Sequence, residues 1–139
     1  MTTYYLDSSV AMRILLGHSP AAAHWFDDTT ASNDEILSSR LLGTEMTRVL
    51  RRLEAPIERR HEVLSHVGTI ALDHAVLQEA EAILPHIKTL DAIHLASALR
   101  SGRDGVIICT HDRTMQAVSH DLGLATMDPV TDDPGNALV

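Results

Sequence analysis

The chain has 139 residues, 45% hydrophobic and 22% charged, a length and balance that fit one domain with a core of its own. Its formal charge of −8 argues against a protein that grips nucleic acid by bulk positive charge, because phosphate binding rests on Lys and Arg. No apolar run approaches the ~18 residues that a membrane span needs, so no membrane role is expected.

The opening segment from Met1 to Asp7 has neither a positive start nor an apolar signal stretch. The single cysteine, Cys109, leaves no intrachain disulfide and fits a reducing compartment, so the expected location is the cytoplasm. With one Trp, two Tyr and one Phe, the core must come from Leu, Ile, Val, Ala and Met. Ten of the eleven basic residues are arginines, and Arg40, Arg48, Arg51, Arg52, Arg59 and Arg60 fall in one stretch.

In chain order, a short apolar strand at residues 3–6 runs into Asp7-Ser8-Ser9, where Ser8 or Ser9 is expected to cap a helix over residues 10–16 that stops at Gly17. A second helix is expected after Pro20, a residue suited to a first helical turn, and a second strand at residues 35–39. Residues 40–53 carry Leu41, Leu42, Met46, Val49, Leu50 and Leu53 at helical spacing. Pro56 interrupts that pattern, and a helix is expected over residues 57–67.

A strand at residues 69–72 and a helix over residues 75–84, capped by Asp73, follow. The next helix spans residues 90–100, and residues 106–110 form a strand rich in β-branched residues, as buried parallel strands are. A helix over residues 113–122 and an edge strand at residues 124–127 complete the domain, set at residues 1–130. Residues 131–139, with Asp-Asp-Pro-Gly, are expected to form a flexible C-terminal tail.

Strands alternating with helices predict an α/β fold, a three-layer α/β/α domain with a mainly parallel sheet of four to five strands. Such sheets bind ligands beyond the carboxyl ends of their strands. Asp7 follows a strand directly, Asp112 stands two residues beyond another, Glu45 lies early in a helix after a strand, and Asp91 stands in the first turn of its helix. Taken singly, each has an ordinary use as a cap, a dipole partner or an exposed position. Taken together they form a carboxylate cluster, which repels itself unless a cation compensates it. Oxygen donors of this kind suit Mg²⁺ or Mn²⁺ and the hydrolysis of phosphodiesters.

These residues also carry a family resemblance. Tyr4-Tyr5-Leu6-Asp7-Ser8-Ser9-Val10 resembles the opening of PIN domains, and Gly43-Thr44-Glu45-Met46 their helix-borne glutamate. Leu90-Asp91-Ala92-Ile93-His94-Leu95-Ala96-Ser97-Ala98 is similar to the central motif of VapC-type toxins. Cys109-Thr110-His111-Asp112-Arg113, followed by Gly123-Leu124, is similar to their Thr-x-Asp signature and last strand.

The resemblance implies an Mg²⁺- or Mn²⁺-dependent endoribonuclease, the toxin of a type II toxin–antitoxin pair that inhibits translation and growth. It also implies a homodimer and a small antitoxin that covers the acidic groove. Asp7, Glu45, Asp91 and Asp112 take the catalytic and metal-binding positions, and Ser9 and Thr110 match supporting hydroxyls.

Arg48, Arg52 and Arg113 are candidate contacts for RNA or antitoxin. His94 and His111 are read as neighbours of the site rather than ligands, and Trp25 and Phe26 as core or dimer contacts. A receiver domain would want a lysine after a late strand, whereas Lys88 precedes a helix; a dehalogenase would want an acid where Ser9 stands. The remaining alternative is a PIN fold that binds RNA or protein without catalysis.

Overall fold

A computed structural model describes residues 1–134. Five strands, β1 (Thr3–Leu6), β2 (Glu35–Ser39), β3 (Gly68–Ile70), β4 (Ile107–Cys109) and β5 (Ala125–Met127), form one sheet in the order β3-β2-β1-β4-β5. Every pairing is parallel. Seven helices connect the strands among the described residues: α1 (Ser8–Leu16), α2 (Pro20–Thr30), α3 (Arg40–Arg52), α4 (His61–Leu64), α5 (His74–Glu81), α6 (Thr89–Leu99) and α7 (Arg113–Asp121). The chain winds outward from β1 through β2 to β3, then returns to β4 on the other side of β1. The strand order therefore reverses between β1 and β4, which opens a crevice at their carboxyl ends.

Side chains alternate across the sheet and so divide the core in two. Leu6, Ile36 and Cys109 pack with Val10, Leu42, Met46 and Leu50 from α1 and α3. Tyr5 and Ile108 face the opposite layer with Leu95 and Ala98 of α6 and Met115 and Val118 of α7. The expected three layers are present, and both faces of the central strands are covered. Phe26 is buried in the first cluster, while the half-buried Trp25 packs edge-on against Tyr4 at a centroid distance of 5.3 Å.

Several boundaries differ from the sequence expectation. Neither Ser8 nor Ser9 caps α1: Asp7 occupies the cap position without a side-chain cap bond, which leaves its carboxylate for other partners. The helix does stop at Gly17, whose φ of 72° is a left-handed conformation that an L side chain resists. The helix expected over residues 57–67 is a 3₁₀ turn, Ile57–Arg60, followed by the single turn of α4.

The strand β3 sits one residue earlier than expected at its start and two at its end, with Gly68 opposite Leu37 and Ile70 opposite Ser39. Helix α5 ends at Glu81, three residues short of Leu84, the residue that Pro85 bars from a helical conformation. Leu84 is left 94% exposed.

Part of the segment beyond Thr131 packs on the domain. A 3₁₀ turn, Pro129–Asp132, buries Val130, and Asp133 accepts hydrogen bonds from Ser19 Oγ and from the Ala21 amide at 2.8 Å. Unpaired amides at the start of α2 attract that carboxylate. The rest of the expected flexible tail, residues 135–139, lies outside the described residues.

Candidate active site

The site forms where β1 and β4 end side by side. The Asp7 amide extends their ladder by donating to the Cys109 carbonyl at 3.0 Å, so the Asp7 side chain leaves the sheet at its carboxyl edge. Asp7 is only 2% exposed. Its Oδ2 accepts from Ser9 Oγ and from Thr110 Oγ1, each at 2.8 Å. Both hydroxyls are held in turn, Ser9 Oγ by the His111 amide at 2.9 Å and Thr110 Oγ1 by the Asp112 amide at 3.1 Å. Asp7 Oδ1 is buried and has no hydrogen-bond partner among the described residues. A buried carboxylate oxygen left this way is costly unless a ligand uses it.

Asp112 caps α7, its Oδ1 accepting from the Met115 amide at 2.9 Å, so its ordinary capping use and its place in the site coexist. Glu45 projects from α3 and pairs through Oε1 with His94 Nε2 at 2.7 Å. His94, fully buried on α6, meets the Tyr5 hydroxyl with Nδ1 at 2.7 Å. Burial alone would push the imidazole pKa down, but the hydrogen bond to Glu45 and the charges of Asp7, Glu45 and Asp91 outweigh it and raise it. Burial holds the Tyr5 phenol well above its usual range, so it stays protonated.

Asp91, in the first turn of α6, has a raised pKa because of burial first, then the charges of Asp7, Asp112 and Glu45, with His94 opposing. The four carboxylates therefore feel one another. They line a single cleft of ≈ 580 Å³ together with Ser9, Met12, Arg13, Val49, Lys88 and Leu90.

Among the described residues no three His, Cys, Asp or Glu side chains are drawn together tightly enough to hold an ion as they stand. Asp7 Oδ1, one oxygen each of Glu45 and Asp112, and the Asp91 carboxyl have no hydrogen-bond partner among the described residues, which leaves oxygen donors for a hard divalent cation.

Three arginines singled out in the sequence stand apart. Arg48, Arg52 and Arg113 are exposed, do not line the cleft and make no side-chain hydrogen bond or ion pair among the described residues. His111 also turns away, pairing with Asp128 at 2.7 Å. Two cations at the cleft were not anticipated: Lys88, exposed at the entrance to α6, and Arg13 on α1, whose Nη1 donates to the Ser9 carbonyl at 2.7 Å. Their spacing offered a signal, since Lys88 precedes Asp91 by three positions and Arg13 follows Ser9 by four. Cys109 is fully buried and its thiol pKa is pushed well up, chiefly by burial, as suits a packing residue.

Comparison with known proteins bears on the family and the fold. The PIN domain family profile matches residues 4–121. Ribonuclease VapC46 of Mycobacterium tuberculosis is 32% identical over 131 residues, covering 93% of this chain and 99% of the relative. Ribonuclease VapC47 of the same organism is 27% identical over 130 residues, covering 90% and 96%.

Among solved structures, VapBC2 from Rickettsia felis, bound to a promoter DNA fragment, superposes with a TM-score of 0.68 at 12% identity over 91% of this chain and 98% of that one. DNA-bound VapBC from Salmonella typhimurium gives 0.67 at 16% identity, covering 93% and 99%. At these identities the structures speak for the fold, and the family profile and the VapC46 relative speak for descent. The chain belongs to the PIN domain family, in the branch that contains the VapC ribonucleases.

Proposed function

We infer that the protein is an endoribonuclease that hydrolyses RNA phosphodiester bonds with divalent cations held by Asp7, Glu45, Asp91 and Asp112. The observation that carries this reading is the buried, unpartnered Asp7 Oδ1 in a cleft walled by three further acids at the sheet's reversal point. The ribonuclease names of the relatives support it. Mg²⁺ or Mn²⁺, when bound, polarises the scissile phosphate and makes a water more acidic.

The protein groups do the positioning. Ser9 and Thr110 fix one oxygen of Asp7 and so aim the other into the cleft. His94 orients Glu45 through their 2.7 Å hydrogen bond. Arg13 and Lys88 are placed to receive phosphate oxygens, and Met12, Val49 and Leu90 supply apolar wall that limits water.

The same reading makes the protein the toxin of a toxin–antitoxin pair, cytoplasmic and dimeric, with an antitoxin partner that blocks the cleft. VapBC complexes among its structural neighbours support that assignment. Partner-free protein incubated with total cellular RNA should give discrete products with Mg²⁺ or Mn²⁺, none with excess chelator and none from Asp7→Ala. Absence of cleavage by folded, metal-supplied wild type would replace this reading with that of a non-catalytic binding domain.

A further inference from the structure

The carboxyl end of β2 borders a second pocket, ≈ 270 Å³ in volume, of opposite character to the acid cleft. Arg40, Arg60 and His61 line it with the hydroxyls of Ser39, Ser65 and Thr69, and none of the residues lining it is Asp or Glu. In a chain with 19 acidic against 11 basic residues, a concavity without a carboxylate runs against composition. Arg60 donates from Nη1 to Thr47 at 2.6 Å, yet its Nε is buried with no partner among the described residues. Ser65 and Thr69 likewise make no side-chain hydrogen bond there. Unsatisfied guanidinium and hydroxyl donors around a small pocket are the chemistry that receives a phosphate.

The pocket adjoins the acid cleft through the backbone. Ser38, on its wall, donates to the Leu6 carbonyl at 2.7 Å, immediately before Asp7. Arg40 and Glu45 ride on the same helix, α3, separated by ~7.5 Å of helical rise. Residues 40 and 45 lie about 140° apart around the axis of α3, so a strand whose scissile phosphate lies among the acids reaches Arg40 by passing around that helix.

We propose that this pocket binds a backbone phosphate of the RNA flanking the one that is cut, a proposal that rests on the ribonuclease reading above. The lining favours phosphate over a protein partner, since of its ten residues only Gly43, Leu64 and Val67 are apolar or lack a side chain.

The test is fluorescence anisotropy of a labelled single-stranded RNA oligonucleotide, in chelator, across a salt series, for wild type and Arg40→Gln/His61→Gln. These side chains make no tertiary hydrogen bond among the described residues, so a melting curve overlaying that of wild type is expected as the folding check. The variant should bind several-fold more weakly, with the log–log salt slope reduced by about 0.7 for each phosphate that the protein no longer neutralises. Chemical shifts of Arg60 and His61 should also respond to inorganic phosphate alone.

An unchanged slope together with normal metal-dependent cleavage by wild type would overturn the pocket and leave the ribonuclease standing. A reduced slope with no cleavage by wild type would overturn the ribonuclease reading while the phosphate pocket stands. Loss of antitoxin binding with RNA binding intact would make the pocket a protein-binding surface and refute the proposal.

Discussion

Replacing Asp7 by Asn should stabilise the metal-free protein while abolishing its activity. Asp7 is buried with one oxygen unpartnered, and its charge shares the cleft with those of Glu45, Asp91 and Asp112. A sphere with the cleft's volume is about 10 Å across, and two unit charges at that separation repel by ~1.7 kcal/mol at an effective dielectric near 20. Screening in an open cleft reduces the sum over three neighbours to about 2–3 kcal/mol. Against this, the hydrogen bonds from Ser9 and Thr110 weaken once their acceptor is neutral, a loss of ~1 kcal/mol. The net gain of about 1–2 kcal/mol corresponds to a rise in Tm of ~3–8 °C for a domain of this size.

Differential scanning calorimetry in chelator measures that rise, and repeating it with Mg²⁺ supplies the control. Wild type should gain stability with the ion, by about 2.7 kcal/mol at a hundred times its Kd, and Asp7→Asn should gain far less. Asp91 adds a pH signature. Its raised pKa contributes stability that is present below the unfolded-state value and lost as pH rises through the folded one. Because Asp7 is the largest charge contribution to that shift, the Asp91 pKa should fall in the variant, seen by carboxyl NMR. A folded Asp7→Asn protein with an unchanged or lower Tm in chelator would refute the account of repelling carboxylates.

Three other outcomes follow from the same interactions. In Glu45→Gln the His94 imidazole loses the charged partner that overrides its burial, so its pKa should drop, as read from imidazole nitrogen shifts; no change would sever the Glu45–His94 link. Thr110→Val removes the donor to Asp7 and the acceptor of the Asp112 amide, and should cost about 1–3 kcal/mol and weaken metal binding, whereas Thr110→Ser should retain most of both by chemical denaturation and titration. Asp133→Ala releases the start of α2 and should lower stability by ~1–2 kcal/mol in urea unfolding; a neutral result would show that residues 129–133 only rest on the surface.

The sequence already displayed what depends on neighbours along the chain. Apolar strands that end in Asp7 and just short of Asp112, and the helical position of Asp91, are enough to locate the acids at the carboxyl edge. Interactions across the fold are not legible in this way. His94 joins Tyr5 to Glu45 over sequence separations of 89 and 49, and nothing local to its helix announces either partner. The arginine-rich stretch is visible, but the packing of α3 against the 3₁₀ turn and α4 decides that Arg40 and Arg60 share a pocket while Arg48 and Arg52 face solvent. The helix expected over residues 57–67 is divided into a 3₁₀ turn and a single α-helical turn that ends at Leu64.

The placement of β1 between β2 and β4 bears on how such an enzyme is made. The hydrogen bond that fixes Asp7 reaches Thr110 across a sequence separation of 103, so the site is absent from any N-terminal fragment that stops before β4. A nascent chain still on the ribosome exposes Asp7 and Glu45 long before their partners exist, and it has no means of holding them to a phosphate. The cell that synthesises this protein is thus spared its chemistry until translation of the domain is nearly finished. Truncated products released by stalled synthesis should be inert as well.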